Sequence, residues 1–443
     1  MNESSLSIKT SDLLKVALPM SLGAFIQFFV AFTDNYFVAK ISGNAMSAVS
    51  YIGLLYITLV MITTGISSAL QIIIARRFGE NHWEQMNTTM RNGWIMGICI
   101  AAIQWSLMHF AVPVFIEGNI EHAEIRHYMY EFMSCREWGF WVYTPTLILQ
   151  AYWTGIAKTR VVLYTMLITS IGNVILDYWL VYGGLGIAPL GAKGAALATV
   201  SAESIAFIFI LIYSFQNARP QLKKLWTPLF NEASHILKLG LPIVFQMLIA
   251  LGVWLAFYTL VAKRGPESLQ SAFIVRNMYM LAWVSVMGFS AVTRTYTSAL
   301  LAEQRWDDLK KFIIKAILLN LAGILILSHG LWLYPEWLTA QFTQDAETTR
   351  LTILTMQIIV PAMLIYSLTS ILLAVVEGSG STIAGFWIEV ITSFCYVAFV
   401  WTMVHYTQWE VHYLWTADYL YFVILGICSA VFLRWGNWKN QTV

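Results

Sequence analysis

The sequence predicts an all-α integral membrane protein with twelve transmembrane helices in two six-helix lobes, related by a parallel internal repeat. Three observations carry that prediction. Of the 443 residues, 58% are hydrophobic and 11% charged, with a mean hydropathy of +0.65, where a soluble domain carries about 25% charge. Apolar runs near the ~20 residues that a bilayer core requires recur along the whole chain. Short sequence matches from the first half also return in the second, all at one constant spacing.

Taken in order, the spans fall near 13–39, 45–75, 91–116, 126–157, 161–183, 190–217, 233–261, 268–300, 309–334, 347–376, 381–406 and 412–435. Trp94 to Ile116 shows the pattern cleanly, with no Asp, Glu, Lys or Arg and a single His109. Spans two, four, eight and ten exceed the bilayer core, so they tilt or protrude. The N-terminus, MNESSLSIKTSD, is polar and lacks the charged-then-apolar build of a cleavable signal peptide. Insertion is expected to begin with the first helix. Nineteen Trp and 21 Tyr suit interfacial belts, with some left to line a cavity. Cys99, Cys135, Cys395 and Cys428 lie in apolar runs without CxxC spacing and read as buried thiols.

Lys and Arg set the orientation. With the N-terminus inside, the inside segments hold 18 of the 26 Lys and Arg, among them Lys9, Lys15, Arg76, Arg77, Lys223, Lys224, Arg305 and Arg434. The positive-inside rule then places both termini in the cytoplasm. The outside connection from Glu117 to Glu124 is acidic, which agrees.

The repeat pairs Leu14–Pro19 (LKVALP) with Leu237–Pro242 (LKLGLP), Ala39-Lys40 with Ala262-Lys263, Glu80 with Glu303, and Gly155 and Thr159 with Gly378 and Thr382. Every pair has the same offset in numbering. Six spans per half is an even number, so both halves enter the membrane from the same side. That makes the repeat parallel, about an axis along the membrane normal, with a cavity expected between the halves. The lobes are then residues 1–218 and 233–443, joined by a cytoplasmic linker at 219–232 with Pro220 and Pro228 as breakers.

Charges inside such spans are costly, roughly 2.5–3.5 kcal/mol on insertion scales, and mark candidate sites. Asp34 and Asp177 each lie six residues before the outer end of their spans, roughly 9 Å below the boundary at 1.5 Å per residue. Asn173 is one turn deeper than Asp177 on the same face, and Thr199 falls at about the same depth in span six. Two carboxylates, an amide and a hydroxyl thus share one layer of the first half. Such hard oxygen ligands suit a Na⁺ ion held by Asp34, Asn173 and Asp177, or a proton shared by two coupled acids. The competing reading is an ion pair: Arg136 on span four lies at a similar depth and would neutralise Asp177, with Glu137 capping the pair. Glu203, one turn beyond Thr199, joins the site or bonds a neighbour.

At the repeat offset Asp34 faces Phe257, Asn173 faces Tyr396 and Asp177 faces Val400, so ion chemistry is expected in the first half alone. Of the second-half acids, Glu377 reads as solvated near a cytoplasmic end, and Glu389 lies inside span eleven. Gln27, two turns below Asp34, and Gln150 are candidate substrate contacts, although amides in a bundle more often join helices. Among the aromatic residues Phe28, Phe32, Tyr36 and Trp153, most serve packing or face lipid, and Tyr36 is the candidate π face for an organic cation.

Four stretches together carry a resemblance: Ala17-Leu18-Pro19, TDNYFVAKIS around Asp34, TGIAKT followed by GNVILDYWLVYG, and GAKGAALAT ending at Thr199. In this combination the chain resembles the multidrug and toxic compound extrusion (MATE) family along nearly its whole length. The resemblance implies a secondary antiporter of the bacterial plasma (inner) membrane, multi-pass, that exports organic cations through a central cavity in exchange for H⁺ or Na⁺. By the same resemblance Asp34, Asn173, Asp177 and Thr199 match the family's first-lobe cation site, and Gln27 matches a drug-contacting position. Another branch of the family places acids on spans seven and ten. This chain has no acid in span seven, and Tyr366 stands near the span-ten position, which disfavours that mechanism. Thr154 also departs from the family, where Arg is common before the Gly.

The alternative within the same superfamily is a flippase for lipid-linked oligosaccharides or lipids. It would need a strongly basic cavity, and the spans offer only Arg136 and Arg276. An enzyme is disfavoured because no HExxH, GxSxG or paired His cluster appears in any span. The expected partners are a small organic cation and membrane lipid, for a monomer without cofactor. The net charge of +2 argues against nucleic acid.

Overall fold

The computed structural model describes residues 6–184, 186, 188–217, 230–439 and 441. The side chains of Phe28, Ala31, Phe32, Asp34, Asn35, Phe230 and Asn231 lie outside the described residues, as does the segment 218–229. The expectations for Asp34, Phe28, Phe32 and most of the 219–232 linker therefore fall outside them too.

Among the described residues the chain forms twelve long helical spans in the expected order: α1 (Thr10–Ala39), α2 (Gly43–Gly79), α3 (Trp83–Asn119), α4 (123–155), α5 (Arg160–Tyr182), α6 (Gly191–Asn217), α7 (Phe230–Val261), α8 (Pro266–Ala302), α9 (Trp306–Ser328), α10 (Ala346–Gly378), α11 (Thr382–Tyr406) and α12 (Val411–Trp435). Two short helices, Gly330–Leu333 and Pro335–Ala340, follow α9. Among the described residues ten of the twelve are long and apolar enough to cross a membrane. The other two are α1, several of whose side chains lie outside the described residues, and α4. The α4 span carries Arg126, Glu131, Arg136 and Glu137 and is interrupted by a 3₁₀ turn at Glu137–Gly139. The expected excess length is present: α2 and α8 each run 37 residues, about 55 Å at 1.5 Å per residue, against a hydrocarbon core of about 30 Å.

Local sequence explains the irregularities. α3 loosens into a π turn at Leu107–Ala111, just before Pro113, which has no N–H to offer the His109 carbonyl. α10 starts at a capped end, where Asp345 accepts the Thr348 N–H at 2.7 Å. Burial of α5 follows the helical period. Ser170, Asn173 and Asp177 are buried on one face, while Ile171, Ile175 and Tyr178 are exposed on the other, as a helix between lipid and a polar interior requires. Not every expectation of burial holds. Cys99 is exposed and the other three cysteines are half-buried, because residues on the outward face of a membrane helix are covered by lipid rather than by protein.

The repeat is written into the backbone. Asn81 and Gln304, equivalent positions of the two halves, both adopt a positive φ, at 60° and 56°. The amides flanking them bond in the same way: Glu80, Asn81 and His82 to the carbonyls of Arg76, Phe78 and Arg77, and Glu303, Gln304 and Arg305 to those of Ala299, Leu301 and Leu300. Ala157 and Gly380 form a second such pair, at φ 57° and 93°. Close helix approaches repeat as well. Gly155 lies against Gln71 and Ile74, and its counterpart Gly378 against Arg294 and Thr297, the repeat-equivalents of those two residues.

By packing, the chain forms two compact units: Leu22–Val244 in one, and Met1–Ser21 with Phe245–Val443 in the other. The first turns of α1 and α7 are thus exchanged relative to the lobes drawn at the linker. Two equivalent glycines account for it. Within the second unit, Gly288 of α8 leaves room for the Ser21 backbone; within the first, Gly65 of α2 leaves room for Val244. The core of the second unit is built around Val261, Val275, Met356, Ile359 and Leu414. That of the first lies around Val38, Ile52, Met108, Phe140 and Val181.

Candidate functional site

The first-half site starts from a small-residue face. Gly194, Ala195, Ala198 and Ala202 of α6 are all buried. Gly194 sits so close to the Leu180 carbonyl that a side chain there would collide, and Gly172 of α5 abuts Ala202. Small residues let two membrane helices approach closely. The consequence is that Asn173 reaches across, and its Nδ2 donates to Thr199 Oγ1 at 3.1 Å. The Thr199 hydroxyl in turn donates to the Ala195 carbonyl at 2.9 Å. Asn173 and Asp177 are both 0% exposed and Thr199 is buried. Asn173 Oδ1 remains buried without a hydrogen-bond donor among the described residues. An amide oxygen in this position, one turn from a buried carboxylate, is a hard donor suited to a small cation. The C-terminal end of α5 is tied to α1 through the Tyr182 hydroxyl, which donates to the Phe37 carbonyl at 3.0 Å.

Arg136, the base of the ion-pair reading, has a carboxylate partner in Glu203. Arg136 forks onto Glu203, with bonds of 2.7 and 2.9 Å to the two carboxylate oxygens. Its guanidinium also lies 3.6 Å from the Tyr56 ring centroid. Gly139, in the 3₁₀ turn, makes room for this cluster: a Cβ there would strike the Arg136 guanidinium and the Tyr56 hydroxyl. The Glu137 carboxylate faces His109 Nδ1 at 3.1 Å. Sequence spacing gives a depth, but depth alone does not fix the angle at which a side chain leaves its helix.

The other candidates separate. Gln27 Nε2 donates to the Tyr143 hydroxyl at 3.2 Å and is exposed. Gln150 is buried. Tyr36 is half exposed, with Lys40 Nζ 4.3 Å from its ring centroid, so that face already carries a cation. Trp153 is buried, and its indole donates to Ser214 at 2.8 Å, a packing role.

In the second half Glu377 is buried rather than solvated. It accepts from Gln246 Nε2 at 3.0 Å and pairs with Arg294 at 2.9 Å. The reason is that α10 runs 33 residues, so its C-terminal end reaches Gln246 of α7 and Arg294 of α8. Glu389 is buried beside the Tyr421 hydroxyl at 2.5 Å and the Ser393 hydroxyl at 3.1 Å. Sequence reasoning overlooked Asp418. It sits just after the break in α12 at Trp415-Thr416, in the first turn of the segment that resumes at Ala417, where an acid reads as an ordinary helix start, yet it is only 9% exposed and lines a cavity. Among the described residues no three His, Cys, Asp or Glu side chains cluster as a metal site.

The comparisons bear on the whole chain. The MatE family signature matches twice, over residues 19–179 and 242–402, and the two matches begin and end at repeat-equivalent positions. A protein of Thermotoga maritima named as a probable multidrug resistance protein NorM is 22% identical over 441 residues, 98% of this chain and 94% of its own. A protein of the same name from Agrobacterium fabrum is 22% identical over 62% of this chain and 60% of its own length. In structure, the chain is similar to a MOP-superfamily transporter from Pyrococcus furiosus, with TM-score 0.87 at 18% identity over 98% and 97% of the two chains. It is also similar to a MATE transporter from Vibrio cholerae, with TM-score 0.86 at 16% identity over 98% of each. With the family signature covering well over half of its length, the chain belongs to the MatE family of membrane transporters.

Proposed function

We propose that the protein is a secondary antiporter that exports small organic cations or drugs in exchange for H⁺ or Na⁺, with coupling centred on Asp34, Asn173, Asp177 and Thr199. The observation that carries this reading is the fully buried Asp177–Asn173 face of α5, with its amide held by Thr199 and the amide oxygen left open. The names of the curated relatives support multidrug export as the class of activity.

The electrostatics follow from burial. A carboxylate attracts a cation 4 Å away by roughly 4 kcal/mol at an effective dielectric near 20. A proton or Na⁺ on Asp177 removes most of that attraction. Since 1.4 kcal/mol is about tenfold in affinity, ion binding and cation binding then oppose each other by orders of magnitude, and reciprocally. Asn173 Oδ1 would share a Na⁺ with the carboxylates, while a proton would need Asp177 or Asp34 alone. Gln27, Gln150 and Tyr36 are the proposed substrate contacts. The protein acts as a monomer in the plasma membrane with both termini cytoplasmic.

The deciding experiment is efflux of a fluorescent organic cation from proteoliposomes under an imposed pH or Na⁺ gradient. The wild type should export under one of the two gradients, and Asp177→Asn should export under neither while remaining monodisperse. Gradient-driven export by Asp177→Asn at the wild-type rate would overturn the first-half coupling site.

A further inference from the structure

The second half holds a cavity that the first-half reading does not use. It has a volume of about 80 Å³, the space of roughly five to eight waters at 10–15 Å³ each, or of one compact ligand. Its walls come from α7, α8, α10, α11 and α12, and ten of the lining residues are Trp, Tyr or Phe. The repeat explains its position. Phe257, Tyr396 and Phe422, which line it, are the repeat-equivalents of Asp34, Asn173 and Thr199. The cavity therefore occupies, in the second half, the place that the candidate ion site occupies in the first. Its chemistry has changed from oxygen donors to π faces, except at one point. Asp418, at the position of Ala195, brings a single carboxylate into the aromatic wall.

We propose that this cavity is a second binding site, and that it takes a compact quaternary ammonium, with Asp418 as its counter-charge and the surrounding rings as its walls. Asp418 is only 9% exposed, has no salt bridge among the described residues, and lies against the phenol of Tyr396. A buried carboxylate without a cationic partner is costly, and a ligand cation supplies that partner. Aromatic faces attract ammonium groups through the ring quadrupole, and cages of such rings are the usual receptors for quaternary ammonium ions. The wall already accepts a cation at its rim: the Arg276 guanidinium lies 5.1 Å from the Trp254 ring centroid and 5.6 Å from that of Tyr258. The indole N–H of Trp415, which also lines the cavity, is buried with no acceptor among the described residues. It is a donor for a hydroxyl oxygen on the ligand. A quaternary ammonium carrying a hydroxyl thus meets a charge, a cage and a donor in one small volume. This site is additional to the proposed coupling site and independent of Asp177.

The test is calorimetric titration of the purified full chain with choline, set against its neutral isostere, in which carbon replaces the charged nitrogen. Choline should bind, and the isostere should bind at least tenfold more weakly. Asp418→Asn, which keeps the size of the side chain, should weaken choline at least tenfold, and Tyr396→Leu at least threefold. Asp177→Asn should leave choline affinity within twofold, so loss of coupled export in that variant stays separate from this site. The proposal is overturned if the wild type does not bind choline, if the isostere binds equally well, or if Asp418→Asn binds within twofold of the wild type. If Asp418→Asn proves unstable, Tyr396→Leu alone decides, and binding within twofold of the wild type in that variant also overturns the proposal.

Discussion

Glu203→Gln should take from the buried Arg136 guanidinium its bidentate carboxylate. The Arg136–Glu203 pair is bidentate, and its side chains are 11% and 6% exposed. Removing one partner of such a pair costs about 3–5 kcal/mol, because the other charge stays buried. Tyr56 moderates this, since a desolvated cation–π contact is worth about 2 kcal/mol and remains in place at 3.6 Å. Glu203→Gln is therefore predicted to fall at the low end of that range. Arg136→Gln loses the cation–π contact as well and should fall at the high end. At about 2–4 °C per kcal/mol for a large domain, the losses in Tm are roughly 6 to 20 °C, readable by thermal unfolding of the purified protein. The double variant Arg136→Gln/Glu203→Gln removes both members of the pair and should be more stable than Arg136→Gln alone. Reasoning from a buried ion pair would be refuted by a Glu203→Gln protein as stable as the wild type. Strict additivity of the two single changes, within about 0.5 kcal/mol, would refute it equally.

Three further outcomes follow from the backbone. Ala157 holds a left-handed conformation that costs a non-glycine residue about 1–2 kcal/mol, and its repeat partner is Gly380. Ala157→Gly should therefore raise Tm by a few degrees, measured by the same unfolding assay, where an ordinary Ala→Gly change lowers it. Gly378→Ala should cost about 1–3 kcal/mol by overpacking, because its Cβ would meet Arg294 backbone atoms at 2.7–2.8 Å. Gly155→Ala should cost less, since the nearest atom it meets is a methyl of Ile74 that can shift. At the start of α10 the Thr348 N–H holds the Asp345 carboxyl below the ordinary carboxylate range. A lowered folded-state pKa means the cap stabilises above the unfolded value near 3.8 and is lost as pH falls through the folded value. Asp345→Ala should therefore flatten the acid limb of the stability–pH curve, and an unchanged limb would count against the cap.

Much of the fold was legible because its determinants are one-dimensional. Apolar run length set twelve spans, and the constant repeat offset set the duplication that reappears in the turns at Asn81 and Gln304 and the contacts of Gly155 and Gly378. The α5 face was legible for the same reason, since Asn173 and Asp177 are one turn apart. What the sequence could not supply is azimuth between helices. Arg136 bonds Glu203 through both terminal guanidinium nitrogens, a pairing that no spacing rule supplies. Enclosure near a helix break is equally hidden from spacing. Glu377 lies within one turn of the end of α10 and Asp418 just after the break in α12 before Ala417, places where a charge usually meets water. Each is instead enclosed by neighbouring helices, Glu377 by Gln246 and Arg294, Asp418 by an aromatic wall.

The duplication also shows how two different chemistries arise on one frame. Turn conformations and glycine contacts are shared between the halves because they fix how helices approach, and a change there would disturb packing everywhere. The side chains facing inward are under no such constraint. Asn173, with its bond to Thr199, has Tyr396 and Phe422 as its counterparts, so a hydrogen-bonded oxygen layer in one half becomes an aromatic layer in the other. Loss of Asp177 to the buried Val400 removes a carboxylate from the second half. Asp418 restores one, from a different helix and at the position of an alanine. A hard oxygen set prefers a small ion and π faces with one carboxylate prefer a large soft cation. At equivalent points of two repeats, the two proposed sites would have opposite cation preferences without any change of fold. If that division holds, Asp177→Asn and Asp418→Asn should separate cleanly: the first should alter the response of transport to H⁺ or Na⁺, and the second the affinity for a quaternary ammonium. Variants that each change both properties would mean instead that the halves share a single site.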